Sequence, residues 1–283
     1  MTEPLIRDIS DTARWVAVYR ARESERPDAV FRDPYARRLA GSRGEAVAQT
    51  QAFAEENQWP FIARTYLFDH FIEQEVRAGA DLIVNIAAGL DARPYRMDLP
   101  SSLQWVEVDL PAILAYKEEA LASEKPKCSL ERVPLDLSDE AKRRQLFDRL
   151  GASARRALVV SEGLLVYLTE EQVTLLGRDL AAIASMDRWL VDLAGPAVLK
   201  LMNEQMGKLV GEAGLSYRFG PADGPEFFVR CGWKPIHVRS VFRAAAEINR
   251  LPDRMKAFAG MPDPPQPWKL PIPWSAVCLL EKA

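Results

Sequence analysis

Small and acidic residues stand directly after two apolar runs, and their types suit contacts with a nucleoside. Ala87 and Gly89 follow DLIVNI, where small side chains would let the backbone approach a ligand closely. Asp109 follows LQWVEV, 20 residues after Gly89, and a carboxylate at that spacing can accept hydrogen bonds from both hydroxyls of a ribose. A tight strand–helix joint at Gly89 and a helix cap at Asp109, before Pro111, are the alternatives left open.

Two more acidic residues follow later apolar runs. Asp136 comes after SLERVPL, and with the backbone N–H of Leu137 it could read the edge of an adenine ring; a cap or turn is the alternative. Glu162 follows ALVVS, and a carboxylate directly after a buried strand needs a partner. The ammonium group of a ligand would be such a partner, and a neighbouring arginine would serve equally well.

Strands that alternate with helices must position these residues. Short apolar runs rich in β-branched residues predict the strands, while Pro111 at a first turn and Thr169 as an N-cap mark helix starts. This alternation is typical of a mostly parallel α/β sheet, in which ligands bind at the carboxyl ends of the strands. The seven predicted strands are DLIVNIA, LQWVEVD, SLERVPLD, ALVVSEG, RWLVDLAG, WKPIHVRSV and SAVCLLEK.

Composition and charge exclude several classes of protein. The 283 residues hold 37 Lys and Arg against 40 Asp and Glu, and a net charge of -3 argues against a nucleic-acid binder. No apolar stretch reaches the ~18 residues of a membrane span, and the acidic N-terminus does not resemble a secretory signal. Three scattered cysteines and two histidines indicate a reducing compartment and no metal centre. We therefore expect a cytoplasmic protein with no nucleic-acid or membrane partner, and the oligomeric state stays open.

Together the four sites comprise a turn that contains glycine, a carboxylate for ribose hydroxyls, groups that could read an adenine edge and a carboxylate for an ammonium group. This set fits S-adenosylmethionine at least as well as NAD, because the sequence lacks GxGxxG and GLDARP offers no clear phosphate cradle. The segments with the most specific order and spacing lie within about residues 12–175. They are TARWVAVYRARESERPDAVFRDPYARRLAG, RTYLFDHF, VNIAAGLDARPYRM, WVEVDLPAILAYKEEAL, LDLSD and SEGLLVYLTEEQV, with GWKPIHV as a looser match.

In these segments the sequence resembles the leucine carboxyl methyltransferase family, in its bacterial branch of S-adenosylmethionine-dependent methyltransferases. The resemblance implies a class I methyltransferase fold, a Rossmann-like, seven-stranded, mostly parallel sheet that ends in an antiparallel hairpin strand. We expect a single domain over residues 1–283, with a helical cap at 1–78, an α/β core at 79–283 and an insert at 196–225. The cap and the insert would set the methyl acceptor.

The resemblance also implies roles for individual residues. Arg64, on the predicted helix after Pro60, would bind the cofactor carboxylate; pairing with Asp69 or Glu73 at the surface is the alternative. Family members usually have glycine at position 87, where alanine is compatible with the loop only if φ is negative. The residues expected to bind the cofactor are Arg14, Arg64, Ala87, Gly89, Asp109, Asp136, Leu137 and Glu162.

The activity that the resemblance implies is O-methyl transfer, which we expect to act on a carboxylate of a small metabolite or of a peptide end. A carboxylate is ionised at pH 7 and needs no general base, in agreement with a sequence in which no catalytic base can be named. A hydroxyl acceptor is the first alternative, and a nicotinamide-dependent oxidoreductase is a more distant one. The residues expected on the acceptor side are Tyr19, Arg20 and Tyr167.

Overall fold

Helices and strands alternate along most of the chain in the computed structural model, which describes residues 9–49, 55–211 and 214–283. The helices are α1 (Ile9–Glu25), α2 (Ala36–Ala48), α3 (Trp59–Arg77), α4 (Arg93–Arg96), α5 (Pro111–Ala120), α6 (Glu140–Ser153), α7 (Glu170–Ala181), α8 (Pro196–Gly211), α9 (Val241–Glu247) and α10 (Asp253–Lys256). The strands are β1 (Leu82–Ile86), β2 (Gln104–Asp109), β3 (Ser129–Pro134), β4 (Ala157–Ser161), β5 (Met186–Ala194), β6 (Trp233–Ser240) and β7 (Ser275–Lys282).

The seven strands form one sheet in the order β3-β2-β1-β4-β5-β7-β6. Strands β1 to β5 pair in parallel, whereas β7 runs antiparallel to both of its neighbours. The predicted α/β fold, with a mostly parallel sheet of seven strands and a final antiparallel strand, is confirmed. The order reverses between β1 and β4, because β2 and β3 lie on one side of β1 and the later strands on the other.

Apolar side chains cover both faces of the sheet. Every residue of β1 and β4 is buried, as expected for parallel strands between two layers of helices. On one face, Leu67 and Phe68 of α3 pack in the same cluster as Ile83 of β1. Helix α3 therefore lies on the sheet, and its N-terminal half can carry side chains to the carboxyl ends of the strands.

Helices α1 and α2 pack against each other beside the turn that follows β1. Ala17 and Val18 of α1 share a cluster with Leu39 of α2 and with Leu90. Helix α7 begins with a capping box at Thr169, so the predicted cap there is confirmed. Residues 1–8 and 50–54 of the predicted cap region, and 212–213 of the predicted insert, lie outside the described residues. The division into cap, core and insert stays a prediction.

Within 9–49, 55–211 and 214–283, no helix is long and apolar enough to cross a membrane. The same residues contain no group of three or more His, Cys, Asp or Glu side chains that could hold a metal ion. The cytoplasmic location expected from the sequence stays a prediction.

Candidate active site

A cavity of about 890 Å³ lies at the carboxyl ends of the central strands. Its floor comes from the turn after β1, the last residue of β2, the turn after β4 and the end of β5. These strands flank the point where the strand order reverses, which is where open α/β sheets bind ligands. Side chains from α1, α3, α8 and the segment 255–274 form the walls.

Asp109, the last residue of β2, joins two turns at the floor of the cavity. Its Oδ2 accepts a hydrogen bond from the backbone N–H of Gly89 at 2.6 Å, and its Oδ1 accepts one from the N–H of Leu110 at 2.7 Å. Burial raises the pKa of Asp109 above its usual value, although these two N–H groups act in the opposite direction. Each carboxylate oxygen retains a further lone pair that could accept a ligand hydroxyl.

The turn after β1 has an unusual backbone at Ala87. Its φ is 55°, and that of Gly89 is 47°. The sequence predicted that an alanine at position 87 would need a negative φ, and this condition is not met. Ala87 instead occupies the left-handed region, which is unfavourable for a residue with a Cβ. The geometry brings the turn close to α1: a Cβ at Gly89 would lie 3.4 Å from the Cβ of Ala13.

Arg64 on α3 lies between two carboxylates at the centre of the cavity. Its Nε donates to Oε1 of Glu162 and its Nη1 to Oδ2 of Asp192, both at 3.0 Å. Oδ1 of Asp192 also accepts from the N–H of Gly163 at 2.7 Å. The left-handed φ of Gly163, 70°, lets this backbone approach closely, since a Cβ there would lie 3.5 Å from Nη1 of Arg64.

The protonation of this trio follows from burial and charge. Burial alone would lower the pKa of Arg64, but the charges of Asp192 and Glu162 outweigh it and the pKa is raised. Burial raises the pKa of Asp192, against the opposing charge of Arg64. Arg64 is therefore a fixed cation beside two acids.

Arg93, which also lines the cavity, extends these contacts to Asp91 and Asp69. Its Nη1 lies 2.8 Å from Oε2 of Glu162 and 2.9 Å from Oδ2 of Asp91, and its Nε donates to Oδ1 of Asp69 at 2.6 Å. Burial would raise the pKa of Asp91, but the positive charges of Arg93 and its neighbours lower it to about 2. The side chain of Arg93 is only 3% exposed, so these contacts hold its orientation.

The alternation of charges continues to α1. Arg96 contacts both oxygens of Asp69, at 2.6 and 2.7 Å, and approaches Asp33 at 3.9 Å. Arg20 donates to Asp33 at 2.9 Å and to the carbonyl of Leu90 at 2.6 Å. We call the nine linked side chains the charged network: Arg20, Asp33, Arg64, Asp69, Asp91, Arg93, Arg96, Glu162 and Asp192.

With all of its groups ionised, the charged network carries one more negative than positive charge. Six of its members line the cavity, three arginines and three carboxylates, so the network gives the cavity wall no net charge. The network also offers both signs at one place, because Arg64 stands between the carboxylates of Glu162 and Asp192. A ligand with an ammonium and a carboxylate on one carbon would find partners for both groups.

The family model for leucine carboxyl methyltransferases matches residues 13–181, which is more than half of the chain. The chain belongs to this family. The family that the sequence motifs predicted is thus confirmed. The matched range includes the floor of the cavity except for the end of β5.

A relative in Mycobacteroides abscessus carries the name "Putative S-adenosyl-L-methionine-dependent methyltransferase" and is 32% identical over 201 residues. The match covers 65% of this chain and 65% of the relative's own length.

Two solved structures share the fold. A DUF574 family protein from Streptomyces avermitilis has a TM-score of 0.57 at 15% identity, with 96% of this chain and 97% of that chain covered. A protein from Thermobifida fusca, titled "a putative methyltransferase", has a TM-score of 0.53 at 13% identity, with 98% and 96% covered. These likenesses agree with the predicted class I methyltransferase fold.

The cavity brings together most of the residues that the sequence singled out. Those that line it are Arg64, Ala87, Gly89, Asp109, Glu162, Tyr19, Arg20 and Tyr167. Tyr19 is buried with its ring 5.4 Å from that of Phe61, and the ring of Tyr167 lies 5.3 Å from that of Tyr217 at a tilt of 36°. Arg20 is engaged within the charged network rather than directed at open space.

Three predicted cofactor residues do not line the cavity. Asp136 is exposed and accepts from the N–H of Ser138 at 2.9 Å, as in an Asx turn. The carbonyl of Leu137 accepts from Arg143 at 2.7 Å. The guanidinium of Arg14 lies 3.7 Å from the ring centre of Tyr116. Their contacts with a cofactor stay predictions.

The sequence reasoning missed two members of the site. Asp192 lies near the end of RWLVDLAG, where the rule that picked out Asp109 and Glu162 applies equally. Arg93 had no such signal, because an arginine in a short helix is ordinarily read as a surface residue. Only the fold shows that Arg93 is buried against Glu162.

The cavity residues fit S-adenosylmethionine by their chemistry. Two of the five N–H groups of Arg64 donate to Glu162 and Asp192, and the others could donate to a ligand carboxylate, while Glu162 and Asp192 offer acceptors for an ammonium group. Asp109 offers acceptors for ribose hydroxyls at the carboxyl end of β2. The volume of about 890 Å³ is near the upper end of the ~300–1,000 Å³ that one small ligand occupies, which leaves space for an acceptor.

Proposed function

We propose that the protein transfers a methyl group from S-adenosylmethionine to a carboxylate oxygen of an acceptor, a small metabolite or a peptide end. One observation carries the proposal: a single cavity joins Asp109 and the Arg64–Glu162–Asp192 trio to buried phenols, and no histidine is among the described residues that line it. Family membership favours methyl transfer over the nicotinamide alternative.

The roles of the chain's own residues follow from their contacts. Arg64 would hold the cofactor carboxylate, and Glu162 and Asp192 would hold its ammonium group, each with a partner already in place. Asp109 would accept the ribose hydroxyls while it keeps the two turns together. These fixed groups orient the cofactor, and orientation is a main source of rate in a displacement reaction.

When bound, the cofactor would supply a methyl group on a sulfonium. A lone pair of the acceptor oxygen forms the O–C bond as the S–C bond breaks, and the electron pair of the S–C bond stays on the sulfur. The carboxylate acceptor loses no proton in this step, since it is already ionised at pH 7. The chain must then exclude water and hold the acceptor oxygen in line, rather than remove a proton.

The phenols in the cavity wall support a carboxylate over a hydroxyl acceptor. Burial raises the pKa values of Tyr19, Tyr167 and Tyr217 above the usual value of 10.0. These groups therefore stay protonated at neutral pH and act as donors, not bases. A phenol donor suits a carboxylate oxygen, whereas a hydroxyl acceptor would need a base to take its proton.

Cofactor binding is the first test. Calorimetry should show that S-adenosylmethionine and S-adenosylhomocysteine bind the wild-type protein. We expect Asp109→Asn to weaken binding by about 1–3 kcal/mol, or roughly 5- to 150-fold, because one charged acceptor for the ribose is lost. The exposed Asp98→Asn is the matched control and should bind as the wild type does. Unchanged affinity in Asp109→Asn would reject the ribose role.

The product distinguishes the two acceptor classes. After incubation with methyl-labelled S-adenosylmethionine and a panel of carboxylic acids and phenols, a methyl ester releases its label as methanol in alkali, whereas a methyl ether does not. We expect alkali-labile product. Label that resists alkali would show that a hydroxyl is the acceptor.

A further inference from the structure

Helix α8 turns an apolar face towards the cavity. The cavity-lining residues of this helix recur at positions i, i+3, i+4, i+7 and i+8, and so occupy one side of it. They are Val198, Leu201, Met202, Gln205 and Met206. At the base of the wall Met206 packs with Trp15 and Tyr19, but Leu201, farther out, remains 39% exposed.

The segment 255–274 forms a second part of the wall and is also apolar. Phe258 is 56% exposed, Met261 57% and Ile272 40%, and all three line the cavity. With Leu201 they make up what we call the apolar mouth. Seven large apolar side chains of the described residues are exposed, and four of them belong to this mouth. The exposed apolar surface is therefore concentrated at one place.

We propose that the methyl acceptor is a carboxylic acid with a long apolar tail, and that the tail lies between α8 and the segment 255–274. This inference rests on the proposed function, which places the acceptor carboxylate near the buried phenols. The apolar walls are continuous with that place, since they line the same cavity. A tail that follows them out would cover the four exposed side chains of the mouth.

The chemistry of the walls favours a hydrocarbon tail over a peptide. The cavity-lining residues of the segment 255–274 include Pro262, Pro264, Pro267 and Pro273, which have no N–H to donate. A peptide buried there would find no backbone N–H on these prolines for its carbonyl oxygens, and each carbonyl left without a partner would carry a penalty.

Charged groups at the rim are already engaged. Arg243 donates to Asp263 at 2.9 Å and to the carbonyl of Ala259 at 2.7 Å, and Arg254 pairs with Glu56. An acidic tail would have to compete with these partners. The rim therefore suits a tail without charge.

Binding of a series of straight-chain carboxylates tests the inference. Calorimetry would measure the affinity of butanoate, hexanoate, octanoate, decanoate and dodecanoate in the presence of saturating S-adenosylhomocysteine, which prevents turnover. Affinity should rise about threefold to fourfold per methylene as the tail becomes buried. A tripeptide of apolar residues with a free carboxylate should bind more weakly than dodecanoate.

Variants of the mouth locate the tail. Leu201→Asp and Met261→Asp each place a charge on an exposed position of the mouth, and each should weaken dodecanoate binding at least about tenfold. Val229→Asp is the matched control, since Val229 is 55% exposed and does not line the cavity. S-adenosylhomocysteine should bind all three variants as tightly as it binds the wild type.

The outcomes separate this inference from the proposed function. No binding of S-adenosylhomocysteine to the wild type would overturn the proposed function. If the cofactor product binds but affinity is flat from butanoate to dodecanoate, the tail inference is overturned and the proposed function stands. Tighter binding of the tripeptide, or equal loss in Val229→Asp, would also overturn the tail inference.

Discussion

The two ends of the cavity are built on opposite plans. In the charged network each of nine ionic side chains has a partner of opposite sign, and Arg93 and Arg96 are almost fully buried. In the apolar mouth, Leu201, Phe258, Met261 and Ile272 leave 39% to 57% of their surface exposed. The network is therefore complete before any ligand binds, whereas among the described residues the mouth keeps apolar surface that a ligand could cover.

This difference separates stability from recognition. Removal of one member of a buried ion pair leaves an uncompensated charge, so the network is part of what holds the fold together. Removal of an exposed apolar side chain changes the free energy of unfolding little, and its effect falls on the ligand. The family match has a similar boundary: residues 13–181 include the network except Asp192, and the mouth lies wholly outside them.

The largest expected effect is that of Arg64→Met. The substitution leaves the carboxylates of Glu162 and Asp192 close together without the cation between them, and we expect the free energy of unfolding to fall by about 3 kcal/mol in urea titrations. Binding of S-adenosylhomocysteine should weaken about 100-fold, because a charged hydrogen-bonding partner is lost.

Two matched variants sharpen the comparison. Arg77→Met changes an arginine on the same helix whose side chain is 77% exposed, and Phe258→Ser changes the mouth. Each should shift the free energy of unfolding by less than about 0.5 kcal/mol. If Phe258→Ser were as destabilising as Arg64→Met, the contrast between the two ends would be wrong.

The floor of the site could be predicted from sequence because it follows from strand periodicity. Apolar runs locate the strands, ligands bind where parallel strands end, and Asp109 and Glu162 stand at those ends. The capping signal at Thr169 is local as well, since its partner Gln172 is three residues away.

The charged network could not be predicted because its partners are distant in sequence. Arg64 meets Glu162 across 98 residues and Asp192 across 128. The sequence therefore left open whether Arg64 pairs at the surface with Asp69, and the structure shows that Arg93 and Arg96 take that carboxylate instead. Burial of an arginine depends on tertiary packing, for which local spacing gives no signal.

The apolar mouth escaped prediction for a different reason. The spacing of Leu201 and Met202 in α8 is that of any helix packed on a core, so periodicity alone does not distinguish a core face from a cavity wall. The prolines of the segment 255–274 are incompatible with a central strand, but they do not reveal what that segment faces.

A smaller effect with a distinct pH dependence is expected from Asp91→Asn. The pKa of Asp91, about 2 in the folded protein against 3.8 ordinarily, corresponds to about 2 kcal/mol of stabilisation at neutral pH. Because the folded-state value is the lower one, this stabilisation is complete above about pH 5 and is lost as the pH falls towards 2. Urea titrations should show the difference between wild type and Asp91→Asn reduced by about half at pH 3.

The exposed Asp148→Asn provides the control for this pH series, since its difference from the wild type should stay near zero throughout. A difference for Asp91→Asn that is constant from pH 7 to pH 3 would show that its origin is packing rather than charge. That result would remove the electrostatic half of the contrast between the network and the mouth.

The smallest effects concern backbone strain, which both ends contain. Ala87 beside the charged network has a φ of 55°, and Gln266 in the segment 255–274 has one of 50°. Glycine relieves the Cβ clash at either place, so Ala87→Gly and Gln266→Gly should each raise the free energy of unfolding by about 1 kcal/mol. Ala88→Gly is the control, because φ is not positive there, and it should lower the free energy of unfolding by about 0.5–1 kcal/mol.

Binding of S-adenosylhomocysteine, measured by calorimetry, distinguishes the two strained positions. Only Ala87→Gly should change the affinity. Equal changes in Ala87→Gly and Gln266→Gly would mean that the cofactor also contacts the segment 255–274.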